Sequence, residues 1–164
     1  MSFTTSLLCD EHKGNIIVAE SSLFQFYGNK KAFSGPVVTV KVYEDYALID
    51  EVIDEAAEGS VVVIHGSGSR RSALIGKELV EKAVKKGISG FIVYGCIRDS
   101  TVINESNISM LAIGTNPVLS SKERAGEKNV SFHFASVDWT PGLYVYVDQD
   151  GMVVSKTNLL EDTD

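Results

Sequence analysis

Residues 61–99 constrain the fold of this chain more than any other stretch. Val61 to Ile64 form a short apolar run that ends at a glycine-rich turn, His65-Gly66-Ser67-Gly68-Ser69-Arg70-Arg71. An amphipathic helical stretch follows, and a second apolar run, Phe91 to Tyr94, ends in Gly95-Cys96-Ile97-Arg98-Asp99. Two runs of strand length flanking a helical pattern read as parallel strands joined by a right-handed crossover. This βαβ unit commits the chain to an α/β architecture. In open sheets of that kind ligands collect beyond the carboxyl ends of the strands. His65 to Arg71 and Arg98-Asp99 both fall there, so function is to be sought at those residues.

Within the crossover, Ile75, Leu79, Val80, Ala83 and Val84 share one apolar face. Glu78 with Lys82 and Glu81 with Lys85 stand four residues apart in the favourable order, and Gly87 closes the helix. Before the unit, Phe33 to Val42 is rich in β-branched residues and reads as a strand, and Glu44 to Ala57 spaces Leu48, Ile49, Val52, Ile53 and Ala56 as a helix. Thr4, Thr5 and Ser6 offer hydroxyl caps to a short helix over Leu7 to His12, with Asp10 and Glu11 expected near its positive end. Ile16 to Val18 and Leu23 to Tyr27 are short and apolar without a decisive period. After Asp99, a short helix or loop over Ser100 to Asn107 precedes a strand at Ser109 to Gly114. Ser120 to Lys128 is charged and loop-like, and Val130 to Val137 alternates as one strand. Leu143 to Val147 and Met152 to Val154 flank Asp150-Gly151 as a hairpin. The acidic end, Glu161 to Asp164, is expected to be disordered.

The 164 residues suit one domain over 1–164. A formal charge of -7 argues against a phosphate backbone as direct partner, since such binding relies on Lys and Arg displacing counterions. It suits a basic protein segment or a small anion held locally. No apolar run approaches the roughly 18 residues of a membrane span, Met1 to Thr4 has no basic start of the signal-peptide kind, and Cys9 and Cys96 read as two buried thiols rather than a disulfide or a metal site. A cytoplasmic setting fits these features.

Two stretches carry candidate chemistry. His65 to Arg71 reads either as an anion cradle, with glycines admitting backbone amides to a ligand, or as a tight turn with solvated arginines. It lacks the third glycine of a dinucleotide fingerprint, which leaves a nucleotide or adenosylmethionine cofactor as a third reading. Arg98-Asp99 offers a bidentate carboxylate clamp beside a ligand for a hard divalent ion. The bland alternatives are a surface ion pair or an Asp that caps the next helix. His12, His65 and His133 show no ligand spacing among themselves, and His133 reads as structural.

Leu8-Cys9-Asp10-Glu11, the Phe33 to Val40 strand, Gly66 to Leu74, Tyr94 to Asp99, Pro141-Gly142 and Tyr146 to Gly151 together resemble the RraA family, over nearly the whole chain. That family joins regulators of ribonuclease E activity with class II 4-hydroxy-4-methyl-2-oxoglutarate aldolases. The resemblance implies a swivelling β/β/α domain with a mixed sheet, a homotrimer or a multiple of it, and a cleft between subunits. It also implies a pyruvate-like keto acid held by Gly76, Lys77, Glu78, Leu79 and Arg98, with Mg²⁺ or Mn²⁺ on Asp99. Arg98 and Asp99 are then the catalytic pair. The chain departs from the aldolase pattern at Lys77, where a carboxylate is expected, and at His65, where the turn usually begins with Asp. Because of Lys77 and the short chain, a regulator that binds and inhibits ribonuclease E or a related RNA-processing enzyme is placed ahead of a metal-dependent pyruvate aldolase with oxaloacetate decarboxylase activity.

Overall fold

The computed structural model describes residues 2–160. A short helix, α1 (Thr5–Glu11), leads into β1 (Ile16–Val18), β2 (Gln25–Tyr27) and the long β3 (Phe33–Val42), followed by α2 (Ala47–Glu55). The βαβ unit comprises β4 (Val61–His65), β5 (Ala73–Ile75), α3 (Lys77–Lys86) and β6 (Gly90–Ile97). Then come α4 (Ser100–Asn104), β7 (Met110–Thr115), β8 (Gly126–Lys128), β9 (Phe132–Phe134), β10 (Val137–Trp139), β11 (Tyr144–Asp148) and β12 (Gly151–Ser155).

The strands form one mixed sheet in the order β1-β12-β11-β3-β4-β6-β7-β2, with β5 added to β6 and β8 to β3. β3, β4, β6 and β7 run parallel at its centre, as the crossover reading requires. β3 serves two neighbourhoods: Phe33 to Pro36 pair antiparallel with β11, and Val37 to Lys41 pair parallel with β4. Both faces of the central strands are covered, which is why their residues run apolar without alternation. One face packs α2 and α3 through Ile49, Ile53, Val80, Ala83, Phe91 and Val93. The other carries Val61, Ile92, Val145 and Trp139 beneath the β9–β10 hairpin. The layering is the expected β/β/α. Among the described residues no helix is long and apolar enough to cross a membrane.

The structure corrects several local expectations. Ile75 belongs to a three-residue strand on the far end of β6 rather than to the helix, and α3 begins only at Lys77. α2 starts three residues late because Glu44 has φ 52°, outside helical space, and Asp45 Oδ1 accepts from the Ala47 amide. Val130 to Val137 is not one strand: Ala135 and Ser136, both at positive φ, turn it into a hairpin. Asp10 and Glu11 lie in the last turn of α1, whose cap is Thr4. Lys82 does not pair with Glu78; its ammonium sits 2.6 Å from both Asp50 and Asp54 of α2 and ties the two helices together. Ser120 to Lys128 is anchored rather than loose, with Arg124 and Lys128 on Glu51. These bonds hold the Glu51 carboxyl at about 2, Arg124 contributing most. Ile16 to Val18 settles as an edge strand, and Gln25 to Tyr27 pairs with β7 at the opposite edge. Cys9 and Cys96 are both free, and only Cys96 is buried; Cys9, on α1 at the sheet's margin, is half-buried rather than buried as expected. His133 is exposed on the hairpin and bonds Asp138 at 2.7 Å. Glu161 to Asp164 lie outside the described residues.

Candidate functional site

Three segment ends converge beyond the carboxyl end of β6. The backbone amide of Arg98 donates to Ile75 O (2.9 Å), which lays the end of β5 beside β6 and brings Gly76, at the start of α3, against Arg98-Asp99. Gly76 is needed for the closeness of that approach, not for its dihedrals, since φ −126° and ψ −172° suit any residue. A Cβ there would stand 3.0 Å from Asp99 Oδ2 and 3.2 Å from Arg98 Nε.

Neither bland reading of Arg98-Asp99 accounts for this geometry. Asp99 precedes α4 in left-handed backbone (φ 60°, ψ 37°), yet its side chain makes no cap bond to α4. It turns back instead, and Oδ2 accepts from the Lys77 amide at 2.9 Å. A non-glycine residue in that conformation costs roughly 1–2 kcal/mol, a strain of the kind that collects at functional sites. The ion pair is long: Arg98 Nε lies 3.9 Å from Asp99 Oδ2. Arg98 Nε is buried and has no hydrogen-bond partner, while Nη1 reaches only Pro117 O at 3.5 Å. An unpartnered buried guanidinium N–H is costly unless a ligand completes it.

These residues open on a cleft of about 250 Å³, lined by Gly76, Lys77, Glu78 and Leu79 as well as Arg98 and Asp99. That is slightly under the roughly 300 Å³ where drug-sized pockets begin, a size suited to a metabolite. In the first turn of α3 the amides of Glu78 and Leu79 have no intrahelical carbonyl to bond, and the positive helix end lies behind them. Together with Arg98 they can receive a carboxylate. Asp99 Oδ1 accepts no hydrogen bond among the described residues and is available to a cation.

The opposite wall escaped the sequence reading. It comprises Tyr46, Asp50, Lys82, Leu119 and Lys122. Asp45, 1% exposed, clamps it: its carboxylate accepts from the amides of Ala47 (2.9 Å), Glu123 (2.5 Å) and Arg124 (3.1 Å), joining the start of α2 to the segment after β7. An Asp two residues ahead of a helix was the one available signal, but its second partner is 78 residues away.

The glycine-rich turn resolves as a tight turn. The amides of Gly66 and Gly68 donate to Tyr94 O, Ser69 to Gly66 O, Ser67 to His65 Nδ1 and Arg71 to Ser69 Oγ. Arg71 pairs with Glu44 at 2.7 Å. The amides that would cradle an anion are thus engaged internally. His65 joins an aromatic cluster with Tyr94, Phe132 and Phe134, on the opposite side of the sheet from the helices. Burial, aided by Lys41, pushes its pKa down.

Fold and cleft define a β/β/α protein with a polar cleft at the carboxyl end of its central strands. The family model RraA-like (Aldolase/RraA) matches residues 5–154, and the chain belongs to that family. A protein of Dechloromonas aromatica (strain RCB), named "Putative 4-hydroxy-4-methyl-2-oxoglutarate aldolase", is 44% identical over 158 residues, covering 94% of this chain and 97% of its own. Among solved structures, one from Geobacillus kaustophilus HTA426 described as an S-adenosylmethionine:2-dimethylmenaquinone methyltransferase has TM-score 0.95 and 44% identity, covering 99% of this chain and 100% of that one. The RNA-processing inhibitor RraA from Thermus thermophilis has TM-score 0.90 and 32% identity over 99% of both chains.

Proposed function

We propose that this protein is a divalent-metal-dependent lyase that cleaves a C–C bond in 2-oxo acids, of the 4-hydroxy-4-methyl-2-oxoglutarate aldolase type, with oxaloacetate decarboxylation as a companion reaction. The observation that carries the proposal is the buried, unpartnered Arg98 Nε beside an Asp99 turned away from its own helix into the cleft. The aldolase-named relative supports it and removes one reason for preferring a regulator, because this chain covers 97% of that relative and its length is therefore no mark of a separate branch.

Arg98 and the amides of Glu78 and Leu79 bind the carboxylate next to the oxo group, which directs the oxo oxygen towards Asp99. The donor set suits a hard cation only in part: among the described residues no cluster of three His, Cys, Asp or Glu is present. Mg²⁺ and Mn²⁺ tolerate this, because Mg²⁺ in particular binds through one or two carboxylates and keeps waters or substrate oxygens for the rest. A divalent ion on Asp99 would supply Lewis acidity at the oxo oxygen as the C–C bond breaks and the electron pair passes into the enolate. Lys77 supplies no carboxylate where the family pattern has one, so proton movement is poorly served and turnover is expected about 10² to 10⁴ below that of a site with the acid in place. Methyl transfer, suggested by the name of the Geobacillus protein, gains no support at the glycine-rich turn, whose amides are engaged internally.

The Thermus inhibitor supports a second reading, regulation of an RNA-processing ribonuclease. One experiment separates the two. Cleavage of oxaloacetate and 4-hydroxy-4-methyl-2-oxoglutarate is measured with Mg²⁺ or Mn²⁺, beside ribonuclease E activity in the presence of the protein. Metal-dependent cleavage lost in Asp99→Asn supports the lyase. Absent cleavage with clear ribonuclease inhibition would put the regulator first.

A further inference from the structure

A guanidinium grips a carboxylate bidentately only when its plane is aimed at it, and few contacts aim that of Arg98. Nη1 reaches the Pro117 carbonyl at 3.5 Å, and Nε stands 3.9 Å from Asp99 Oδ2. Pro117 is exposed and has no backbone N–H of its own to tie it down, so its carbonyl is placed by the residue before it. That residue, Asn116, is the first past β7 and is held in three directions. Its amide donates to Ile97 O at 3.0 Å, immediately ahead of Arg98. Its Nδ2 donates to Arg70 O at 2.6 Å, and its Oδ1 accepts from the Val118 amide at 2.9 Å. The last bond loops the side chain over Pro117 as an Asx turn. Beyond that turn the Ala73 amide donates to Val118 O (2.7 Å) and the Ser120 amide to Ala73 O (2.9 Å), which lays Leu119 into the cleft lining. Asn116 itself stands outside the cleft.

We propose that Asn116 is a positioning residue for Arg98: by closing the turn over Pro117 it fixes the carbonyl that orients the guanidinium towards an incoming carboxylate. The proposal rests on the lyase reading of the cleft, in which Arg98 receives the carboxylate next to the oxo group. Both ends of the Asn116 amide serve the task. Oδ1 closes the turn, and Nδ2 anchors it to the glycine-rich turn at Arg70, a stretch whose own amides are engaged internally. Without Asn116 the ordering of Arg98 falls to the ligand and is taken from its affinity.

The test titrates Mn²⁺ alone, and then pyruvate with Mn²⁺ present, calorimetrically into the native chain, Asn116→Ala, Asn116→Ser, Arg98→Ala and the double variant Asn116→Ala with Arg98→Ala. Ser keeps a hydroxyl that can accept from the Val118 amide but is too short to reach Arg70 O, whereas Ala loses both bonds. The Ala and Ser variants at 116 should each melt about 2–4 °C below native protein, the cost of a lost hydrogen bond in a chain of this size. Pyruvate affinity should fall about tenfold in Asn116→Ala, the worth of preorganising one flexible side chain, and by less than about threefold in Asn116→Ser. Mn²⁺ affinity should stay unchanged in both, which also reports an intact fold. In the Arg98→Ala background the change at Asn116 should cost nothing further. Native pyruvate affinity in Asn116→Ala, equal losses in the Ala and Ser variants, or a loss that persists without Arg98 would overturn the positioning role while leaving Arg98 as the carboxylate ligand. Pyruvate binding absent from native protein, or equal in native and Arg98→Ala protein, would overturn the lyase reading and this role with it.

Discussion

Replacing Gly76 with Ala tests the site with a single methyl group. The backbone tolerates the change, because φ −126° and ψ −172° are ordinary for an L-residue. Ala narrows the unfolded ensemble and stabilises by about 0.4–1 kcal/mol, while as a helix cap it is poorer than Gly by a similar amount. The specific cost lies at the new Cβ, 3.0 Å from Asp99 Oδ2, 3.2 Å from Arg98 Nε and 3.3 Å from Arg98 Cγ. Relief requires Asp99 to withdraw, stretching its 2.9 Å bond from the Lys77 amide. A hydrogen bond to a charged group is worth roughly 1.5–3 kcal/mol, and partial loss leaves a net destabilisation of about 1–2 kcal/mol, readable as a shift in urea midpoint. Ligand binding should suffer more, since the methyl occupies the space where a carboxylate meets Arg98 and a cation meets Asp99. We expect pyruvate affinity, titrated with Mn²⁺, to fall at least about tenfold, and turnover by up to about 10², the penalty of ångström-scale misplacement. Native-like pyruvate affinity in a folded Gly76→Ala protein would refute the placement of the ligand between Arg98 and Asp99.

Asp99→Asn keeps a side chain that tolerates left-handed backbone, so stability should change by about 1 kcal/mol or less while Mn²⁺ affinity collapses; calorimetric titration and thermal melting check the pair. Lys77→Asp should raise oxaloacetate decarboxylation, and adding Asp99→Ala should abolish the gain; a native rate that is high and indifferent to Asp99 would show the site misread. Glu51 titrates at about 2 in the fold because of its bonds to Arg124 and Lys128, against an ordinary 4.5. Its contribution is therefore complete above about pH 4.5 and is lost as pH falls through 2. The stability gap between native protein and Glu51→Gln should be widest near neutrality and vanish near pH 2, and a gap independent of pH would contradict this linkage.

The parts legible in the sequence are those where local pattern and tertiary demand agree. Val61 to Ile64 and Phe91 to Val93 lie in the covered centre of the sheet, and their unbroken apolar runs announce it, while the Val37 to Val42 half of β3 is marked by its β-branched residues. Asp150-Gly151 carries a hairpin signal in its own two residues. The misses arise where a distant partner decides. Ala73 to Ile75 are apolar enough for the helix that follows, but β6 runs on past β4 and pairs with them, delaying α3 to Lys77. Ala135-Ser136 hold positive φ without glycine or asparagine to mark it, in a hairpin whose Phe134 and Trp139 pack on the sheet. Arg98, Asp99 and the start of α3, the residues the resemblance names, come together at one cleft. The facing wall of Tyr46, Asp50 and Lys122 was invisible because it forms only when Asp45 joins α2 to the segment after β7.

A crystal structure of the protein grown with Mn²⁺ and pyruvate tests the central claim most directly, through the anomalous signal of the metal and the density of the keto acid. Manganese is expected on the Asp99 carboxylate, with the pyruvate carboxylate on Arg98 and the Glu78 and Leu79 amides. Manganese and pyruvate bound together at another place, with Arg98 Nε still unpartnered and Asp99 without metal, would contradict the lyase site.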